Sequence, residues 1–464
     1  MQYKIDLKDV ENVHFIGIGG ASMNGLAQIL AKNGYRVSGS DNKASDITAH
    51  LQGLGITIYI PNASENIQAR HDLIVYTAAI LPDNPEYMAA REKSVPMMER
   101  SVLLGEITRG YEKTVCVAGS HGKTTTTTLL AGVTVGAGLD PTVHIGASVT
   151  INNRIGTSPY FMLEACEYRD TFLQLTPYIG TILNVDADHL DFYGGMDGLI
   201  HSFAQFARRI RPEGALVINT AAQGYERIVE GLPCRVINFA SDESLCRGND
   251  YFPRNVVFDH TGKPAFDVMR GGEFIIRVEL PLNGQFNIMN ALACFAVSEQ
   301  LGITPDTIKR GLEAAQGAKR RFEYKGSYNG TDIIDDYAHH PTEVRACLAA
   351  ARLASSQRGN MGRIVCIFQP HLYSRTRDLM DDFAQAFTEA DKVLLLPIYA
   401  AREPFDPTIS SAMLGKRLYE NEMDVQCFED FYTAEQWLRK NLIPNDLLIT
   451  MGAGDVHLIG ERLL

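Results

Sequence analysis

The stretch Val115-Cys-Val-Ala-Gly-Ser-His-Gly-Lys-Thr-Thr-Thr126 decides how the chain is read. A short apolar run of β type ends in Gly119-Ser-His-Gly122-Lys123-Thr124 and flows into a helical pattern, Thr125 to Val135. That is how a phosphate-binding loop is built. Glycines let the backbone turn so that successive N–H groups point inward at phosphate oxygens, and the helix N-terminus adds its positive end. In such loops the lysine reaches the β/γ-phosphates and the threonine hydroxyl sits on Mg²⁺. The spacing here, G-x-x-G-K-T, is tighter than the common G-x₄-G-K-[ST]. An ordinary strand–helix turn is the bland alternative, but the setting between a strand and a helix favours nucleotide binding.

At 464 residues the chain has room for roughly three domains, each with a sizeable core. Hydrophobic content of 45% and charged content of 21% are those of a soluble globular protein. The formal charge of −12 and the lack of a long basic run argue against a nucleic-acid partner. Eight cysteines are scattered with no C-x-x-C pair, several inside apolar runs, so reduced core thiols in a cytosolic protein are expected. Met1-Gln-Tyr-Lys-Ile-Asp6 lacks the apolar region of a signal peptide, and no apolar run approaches the ~18 residues of a membrane span. A cytoplasmic protein with no membrane partner follows as the expectation.

Strand-like runs alternate with helical patterns along the whole chain, which predicts an α/β fold with largely parallel sheets. A Rossmann-like unit opens with Val13-His-Phe-Ile-Gly17 and extends over residues 1–108. A P-loop, ATPase-like α/β unit, 109–317, follows the polar hinge Thr108-Arg-Gly-Tyr-Glu-Lys113. It holds a less regular section, 234–282, and a helix from Phe286 to Gln300. The joint Gln316-Gly-Ala-Lys-Arg-Arg321 leads to a second Rossmann-like unit, 318–464. The strands assigned to it are Asp332–Asp335, Ile364–Phe368, Val393–Leu396 and Leu447–Thr450.

Gly17-Ile-Gly19-Gly20-Ala-Ser22-Met23 resembles a dinucleotide fingerprint, with Asp41 closing the next strand. Ser22 stands where the third glycine is expected, so binding of some nucleotide diphosphate is favoured over true NAD binding. Glu164-Ala-Cys-Glu167 and Asp186-Ala-Asp188-His189-Leu-Asp191 each follow an apolar run, Tyr160–Leu163 and Thr181–Val185. Both therefore fall at C-terminal strand ends, where such sheets place ligands. Glu164 and His189 would complete Mg²⁺ coordination with Thr124 and nucleotide oxygens; solvated loop acids are the alternative. Arg320-Arg321-Phe, Asp335-Asp336-Tyr-Ala-His339-His340-Pro-Thr-Glu343 and Gln369-Pro-His371-Leu-Tyr-Ser-Arg375-Thr-Arg377 gather arginine and histidine at strand ends. Such groups suit a small substrate's carboxylate and a phosphoryl group in transfer. The histidine pair lacks zinc spacing, and Arg377 alone reads equally as a surface arginine.

In this order the motifs resemble those of the Mur ligases over nearly the whole chain, residues 12 to 458. Within that family the segment Gln369–Arg377 points to the member that adds the first amino acid, L-alanine, to UDP-N-acetylmuramic acid. The resemblance implies that ATP phosphorylates the lactyl carboxylate and that the amine of L-alanine attacks the acyl phosphate. A carboxylate is a poor electrophile, and two anions must meet, so lysine, Mg²⁺ and arginine are needed to offset charge. By motif position, Gly119, Ser120, His121, Gly122, Lys123, Thr124 and Thr125 would bind ATP, with Lys123 on the γ-phosphate. Asn287 and Asn290 would face the adenine, and Arg321 and Asp336 would close on the nucleotide. Thr124, Glu164 and His189 would hold two Mg²⁺ ions, with Mn²⁺ as a substitute. Tyr337, His339, His371 and Arg375 would frame the alanine. Gly17, Gly19, Gly20, Ser22, Asp41 and Arg100 would lie against the UDP-sugar.

Three departures stand out. The adenine motif reads Gly284-Gln-Phe286-Asn-Ile-Met-Asn290, with phenylalanine where the family often has histidine. Leu372 stands where some members carry arginine, and Cys166 replaces an aspartate in E-A-D-E. No lysine occurs between His189 and Lys263, where later Mur ligases use a carbamylated lysine. The alternatives are a tripeptide-recycling ligase, an NAD-dependent oxidoreductase on the first glycine loop, and a nucleotide binder without catalysis. Oligomeric state is left open. The resemblance also implies domain closure about the polar joint on substrate binding.

Overall fold

Val115 to Ala118 and Ile364 to Phe368 are continuous buried apolar runs rather than alternating ones, and Val13, Phe15 and Ile16 are all buried around an equally buried His14. Runs of this kind form parallel strands covered on both faces. The computed structural model describes residues 5–146, 153–259, 262–317, 319–357, 362–401 and 403–464. Ala318, within the polar joint, lies outside them. The chain divides into two compact units, Met1–Phe239 with Ala293–Ile308, and Ala240–Leu292 with Lys309–Leu464.

The first unit holds two parallel arrays. Strands β1 (Asn12–Ile16), β2 (Arg36–Ser40), β3 (Thr57–Tyr59), β4 (Leu73–Tyr76) and β5 (Met97–Glu99) form a parallel sheet in the order β3-β2-β1-β4-β5. Strand order reverses beside β1, so the Gly17–Gly20 turn opens at a switch point, where ligands bind in such sheets. Next come β6 (Lys113–Ala118), β7 (Thr142–His144), β8 (Asn153–Arg154), β9 (Tyr160–Glu164), β10 (Ile179–Ile182), β11 (Ala215–Asn219) and β12 (Arg235–Phe239). Their order is β12-β11-β10-β6-β9-β7-β8, and only β8 runs antiparallel to its neighbour. One apolar cluster, from Val10 through Phe161 and Phe206 to Cys234, serves both arrays.

The second unit contains an antiparallel meander, β13 (Tyr251–Phe258), β14 (Pro264–Arg270) and β15 (Glu273–Glu279). Its six-stranded sheet uses β16 (Glu323–Tyr328), β17 (Thr331–Asp336), β18 (Ile364–Phe368), β19 (Lys392–Leu395), β20 (Val425–Cys427) and β21 (Leu447–Met451). The order is β16-β17-β21-β18-β19-β20, with β16 the antiparallel edge. Separate apolar clusters cover its two faces, around Phe368, Phe383 and Phe387 on one and Ile367, Leu394 and Leu438 on the other.

Two sequence expectations shift. The section 234–282 is regular, but register breaks between Arg254 and Val257 and between Val268 and Met269 hide the alternation of a half-buried strand. The strand expected over Thr181–Val185 ends at Ile182, because Asn184 leaves the ladder to serve the phosphate loop. All eight cysteines are free, and Cys116, Cys234, Cys294, Cys347 and Cys366 are buried. Among the described residues no helix is long and apolar enough to cross a membrane.

Candidate active site

The phosphate loop follows β6 and opens the helix Lys123–Gly136. Gly119 takes φ +140° and Gly122 φ +84°, both in the region that favours glycine. A Cβ on Gly119 would also press on Leu183 and the Asn184 backbone at 3.0–3.2 Å, so only glycine lets the turn lie against the end of β10. Asn184 braces it from there. Its carboxamide accepts from His121 N–H at 2.8 Å and donates to His121 C=O at 3.0 Å. Ser120 exchanges hydrogen bonds with the Asp186 backbone, and the His121 ring reaches the Asp186 carboxylate at 3.1 Å. Thr124 and Thr125 occupy the first helical turn, Thr125 buried.

Lys123 Nζ lies against Gly119 O at 2.5 Å, Ser120 O at 3.1 Å and both Glu167 oxygens at 2.9 and 3.1 Å. Burial works against its charge, but the Glu167 carboxylate outweighs that and raises the ammonium above the ordinary lysine range. Glu167, Asp188 and His189 present ligand atoms within 4.8 Å of one another. Two carboxylates and an imidazole fit a divalent cation of the Mg²⁺ or Mn²⁺ type. His189 is held at φ +55° with its ring 4.6 Å from that of Tyr168. Glu164 closes β9, one strand over from the loop, and a Cβ on Gly146 would stand 3.6 Å from its carboxylate. The sequence reading took Glu164 from its motif and left out Glu167, which the structure sets against the lysine.

At the first glycine turn, Gly17 takes φ +80° and Gly19 N–H donates to Asp41 at 2.9 Å. A Cβ on Gly19 would stand 2.7 Å from that carboxylate, so any side chain there would displace Asp41 from the turn. Asp41 thus braces the turn, while Gly20 caps the helix Ala21–Lys32. Ser22 accepts from Arg100 at 3.0 Å and meets His144 at 3.0 Å, which accounts for a serine where the fingerprint calls for glycine.

The second unit carries the other group. Arg320 is a clamp, bonded to Asp335 at 2.8 Å and to the carbonyls of Gly452 and Gly454 at 2.7 and 3.1 Å. Arg321 lies 3.6 Å from Glu343, and both guanidinium groups stand over the Tyr337 ring, 5.1 and 5.4 Å from its centre. Asp336 accepts the N–H groups of Phe322 and Ala338, both at 2.7 Å, and so fixes the loops carrying Arg321 and Tyr337. Burial pushes its carboxyl up to about 6, with Arg321 and the two N–H donors opposing. The rings of Tyr337, His339, His371 and Tyr399 form a chain with centres 5.3, 5.5 and 5.8 Å apart. Arg375, buried, reaches His371 at 3.0 Å. Asn287 and Asn290, both buried, bond to each other at 3.0 Å on the helix Phe286–Gln300. Leu372 takes φ +67° at the start of the helix Tyr373–Asp378, and its N–H donates to Tyr399 O at 2.9 Å.

The sequence motifs by themselves assign no site role to Tyr399, Glu403, Glu343, Asn184 or Glu167. Glu403 accepts from the N–H groups of Tyr373 and Ser374 at 2.6 and 3.1 Å, capping that helix from a distant loop. Nothing local in the sequence signals such a partner. Glu167 and Glu343 lie inside the E-A-C-E and D-D-Y-A-H-H-P-T-E motifs, and that position is the signal that marks them.

Three family models match in series: the Mur ligase family catalytic domain over residues 12–112, the Mur ligase middle domain over 117–298, and the Mur ligase glutamate ligase domain over 320–454. The chain belongs to the Mur ligase family. It is 44% identical to the UDP-N-acetylmuramate–L-alanine ligase of Agathobacter rectalis, over 100% of this chain and 99% of the relative. The ligase of the same name from Clostridium novyi is 43% identical, over 98% of this chain and 97% of the relative. Among solved structures, UDP-N-acetylmuramate-alanine ligase from Thermotoga maritima superimposes with a TM-score of 0.80 at 27% identity, covering 97% and 98% of the two chains. A murein peptide ligase from Psychrobacter arcticus shares the fold, with a TM-score of 0.72 at 23% identity.

Proposed function

We infer that the chain joins L-alanine to the lactyl carboxylate of UDP-N-acetylmuramic acid at the expense of ATP, the first amino-acid addition to the peptidoglycan precursor. The observation that carries the reading is the pairing, in one chain, of a lysine-bearing phosphate loop with a histidine–arginine–tyrosine cluster on the third sheet. The first is what phosphoryl transfer to a carboxylate requires, and the second suits a small zwitterion. Lys123 and the loop N–H groups would take the ATP phosphates, and Lys123 would exchange Glu167 for the γ-phosphate. Glu167, Asp188 and His189, together with Thr124 and Glu164, would hold Mg²⁺, which offsets phosphate charge when bound. Arg375 would pair with the alanine carboxylate. The γ-phosphoryl would pass from ATP to the lactyl carboxylate with ADP leaving. The neutral alanine amine would then attack the carbonyl carbon, and the C–O bond to phosphate would break. The amine proton would pass to the departing phosphate or water, with Arg321 offsetting the charge that develops. The sugar nucleotide would lie on Gly17–Ser22 and Arg100, and the reaction belongs to the cytoplasm, where its nucleotides are made.

The test is phosphate release from ATP and Mg²⁺ with UDP-N-acetylmuramic acid, supplying L-alanine, L-serine, glycine and the L-Ala-D-Glu-diamino-acid tripeptide separately. Release that needs both the sugar nucleotide and L-alanine, and fails in Lys123→Ala, is expected. Release with the tripeptide alone would move the chain to the recycling reaction, and none with any acceptor would overturn catalysis.

A further inference from the structure

Ser22, the residue that breaks the glycine fingerprint, is part of a directed chain of hydrogen bonds. The Arg100 guanidinium has only protons to give, so Ser22 Oγ accepts from it at 3.0 Å. The direction is fixed from the far end, where Asn24 must donate to backbone carbonyls, so that its Oδ1 accepts from Asn153 and Asn153 Oδ1 is left to accept from His144 Nδ1 at 3.2 Å. In a neutral ring Nε2 then carries the lone pair and takes the Ser22 proton at 3.0 Å. Asn153 donates in turn to Asn24 at 3.1 Å, and Asn24 to the carbonyls of Gly20 and Ala21 at 3.0 and 2.8 Å. The circuit leaves the glycine turn at Ser22 and returns to it at Gly20, passing through the paired strands β7 and β8.

Two further observations bear on it. His144 is 3% exposed, and burial together with the nearby Arg100 charge lowers its pKa to about 4, so the ring is neutral as the bonding direction demands. Gly25, on the helix behind the turn, has no room for a side chain, since a Cβ there would overlap Asn153 and press on His144 Nδ1 at 2.8 Å. His144 of β7 and Asn153 of β8 are thus seated directly on the helix that carries Ser22.

We propose that His144 is a positioning residue for the sugar nucleotide, a neutral imidazole that holds Ser22 and Arg100 in the pose that receives the anionic diphosphate. This rests on the assignment of Gly17–Ser22 and Arg100 to the UDP moiety. Without the imidazole acceptor the serine hydroxyl is free to turn, and Arg100 loses the partner that fixes its direction.

Binding of UDP-N-acetylmuramic acid to the full chain without ATP, by calorimetry, tests the proposal alongside steady-state kinetics. His144→Phe should weaken binding and raise KM for the sugar nucleotide roughly tenfold, with KM for ATP and alanine unchanged. His144→Gln, which restores an acceptor near Nε2, should recover to within about threefold, and adding Ser22→Ala to His144→Phe should cost less than about twofold more. A folded His144→Phe that binds as tightly as the parent, while Arg100→Ala binds weakly, overturns the role of His144 and leaves the loop assignment standing. Unchanged binding in Arg100→Ala overturns the assignment itself. Should His144→Phe fail to fold, Ser22→Ala questions the same chain, and unchanged binding there also overturns it.

Discussion

The phosphate loop of the first unit and the ring cluster of the second are both strand-end sites, yet they are made from different materials. The loop is mostly backbone. Its glycines, its N–H groups and the helix that follows come from one run of sequence, and side chains such as Asn184 only brace it. The cluster is mostly side chain. Tyr337 and His339 follow β17, His371 and Arg375 follow β18, and Tyr399 follows β19, so three separate segments meet only because these strands end near one another. A site of backbone tolerates change around it while its glycines and lysine remain. A site of side chains depends on each loop that presents one.

Changes at the two regions should therefore differ in kind. Lys123→Ala removes the charge that faces the phosphates and should lower kcat about a thousandfold or more, read as phosphate release. A smaller loss there would break the comparison by showing that backbone alone suffices.

Acidity separates the regions next. His71, in the loop before β4, is buried with its ring stacked on His14. Burial, helped by His14 and Arg70, lowers its pKa from 6.5 to about 4 against the opposing pull of Asp72 and Glu86. A depressed pKa favours the neutral ring in the fold. Its contribution is present above about pH 6.5 and is lost as pH falls toward 4, at most about 3 kcal/mol. Thermal unfolding followed from pH 7 to 4 should show this slope, and His71→Gln should flatten it. In the second unit the buried acid Asp336 has its carboxyl raised to about 6, so acidification through that range favours the fold there instead.

Bracing residues give a matched pair. Asn184→Ala should raise KM for ATP about tenfold and leave alanine unaffected, whereas Glu403→Gln should do the reverse, since it frees the helix that carries Arg375. If each variant moved both constants, the two regions would act as one. The smallest effect belongs to Arg377, half-exposed and paired with Asp378 and Asp406 at 3.0 and 2.9 Å. Arg377→Ala should change stability by less than about 1 kcal/mol in denaturant titrations.

The same contrast explains what could be read beforehand. The helix Phe286–Gln300 was read with the bounds observed, and β18 likewise, because period and apolar runs are local signals. The loop 119–125 was legible for the same reason. Tyr399 and Glu403 were not, since their roles depend on a single bridge between His371 and Tyr399 and on a cap supplied from some 30 residues away along the chain. Ser22 stands out in the sequence as an irregularity in the glycine fingerprint, but its partners, Arg100 and His144, are distant in sequence. Long-range side-chain pairing leaves no periodic trace.

The buried thiols described with the fold make each sheet's opening countable. A thiol reacts as thiolate, and burial pushes Cys294 up to about 12 and Cys116 and Cys366 higher still. Cys116 sits in β6 of the first unit and Cys366 in β18 of the second. An alkylating pulse followed by mass spectrometry would therefore date the exposure of each strand separately, so that one unlabelled protein records the unfolding of both units in its own side chains.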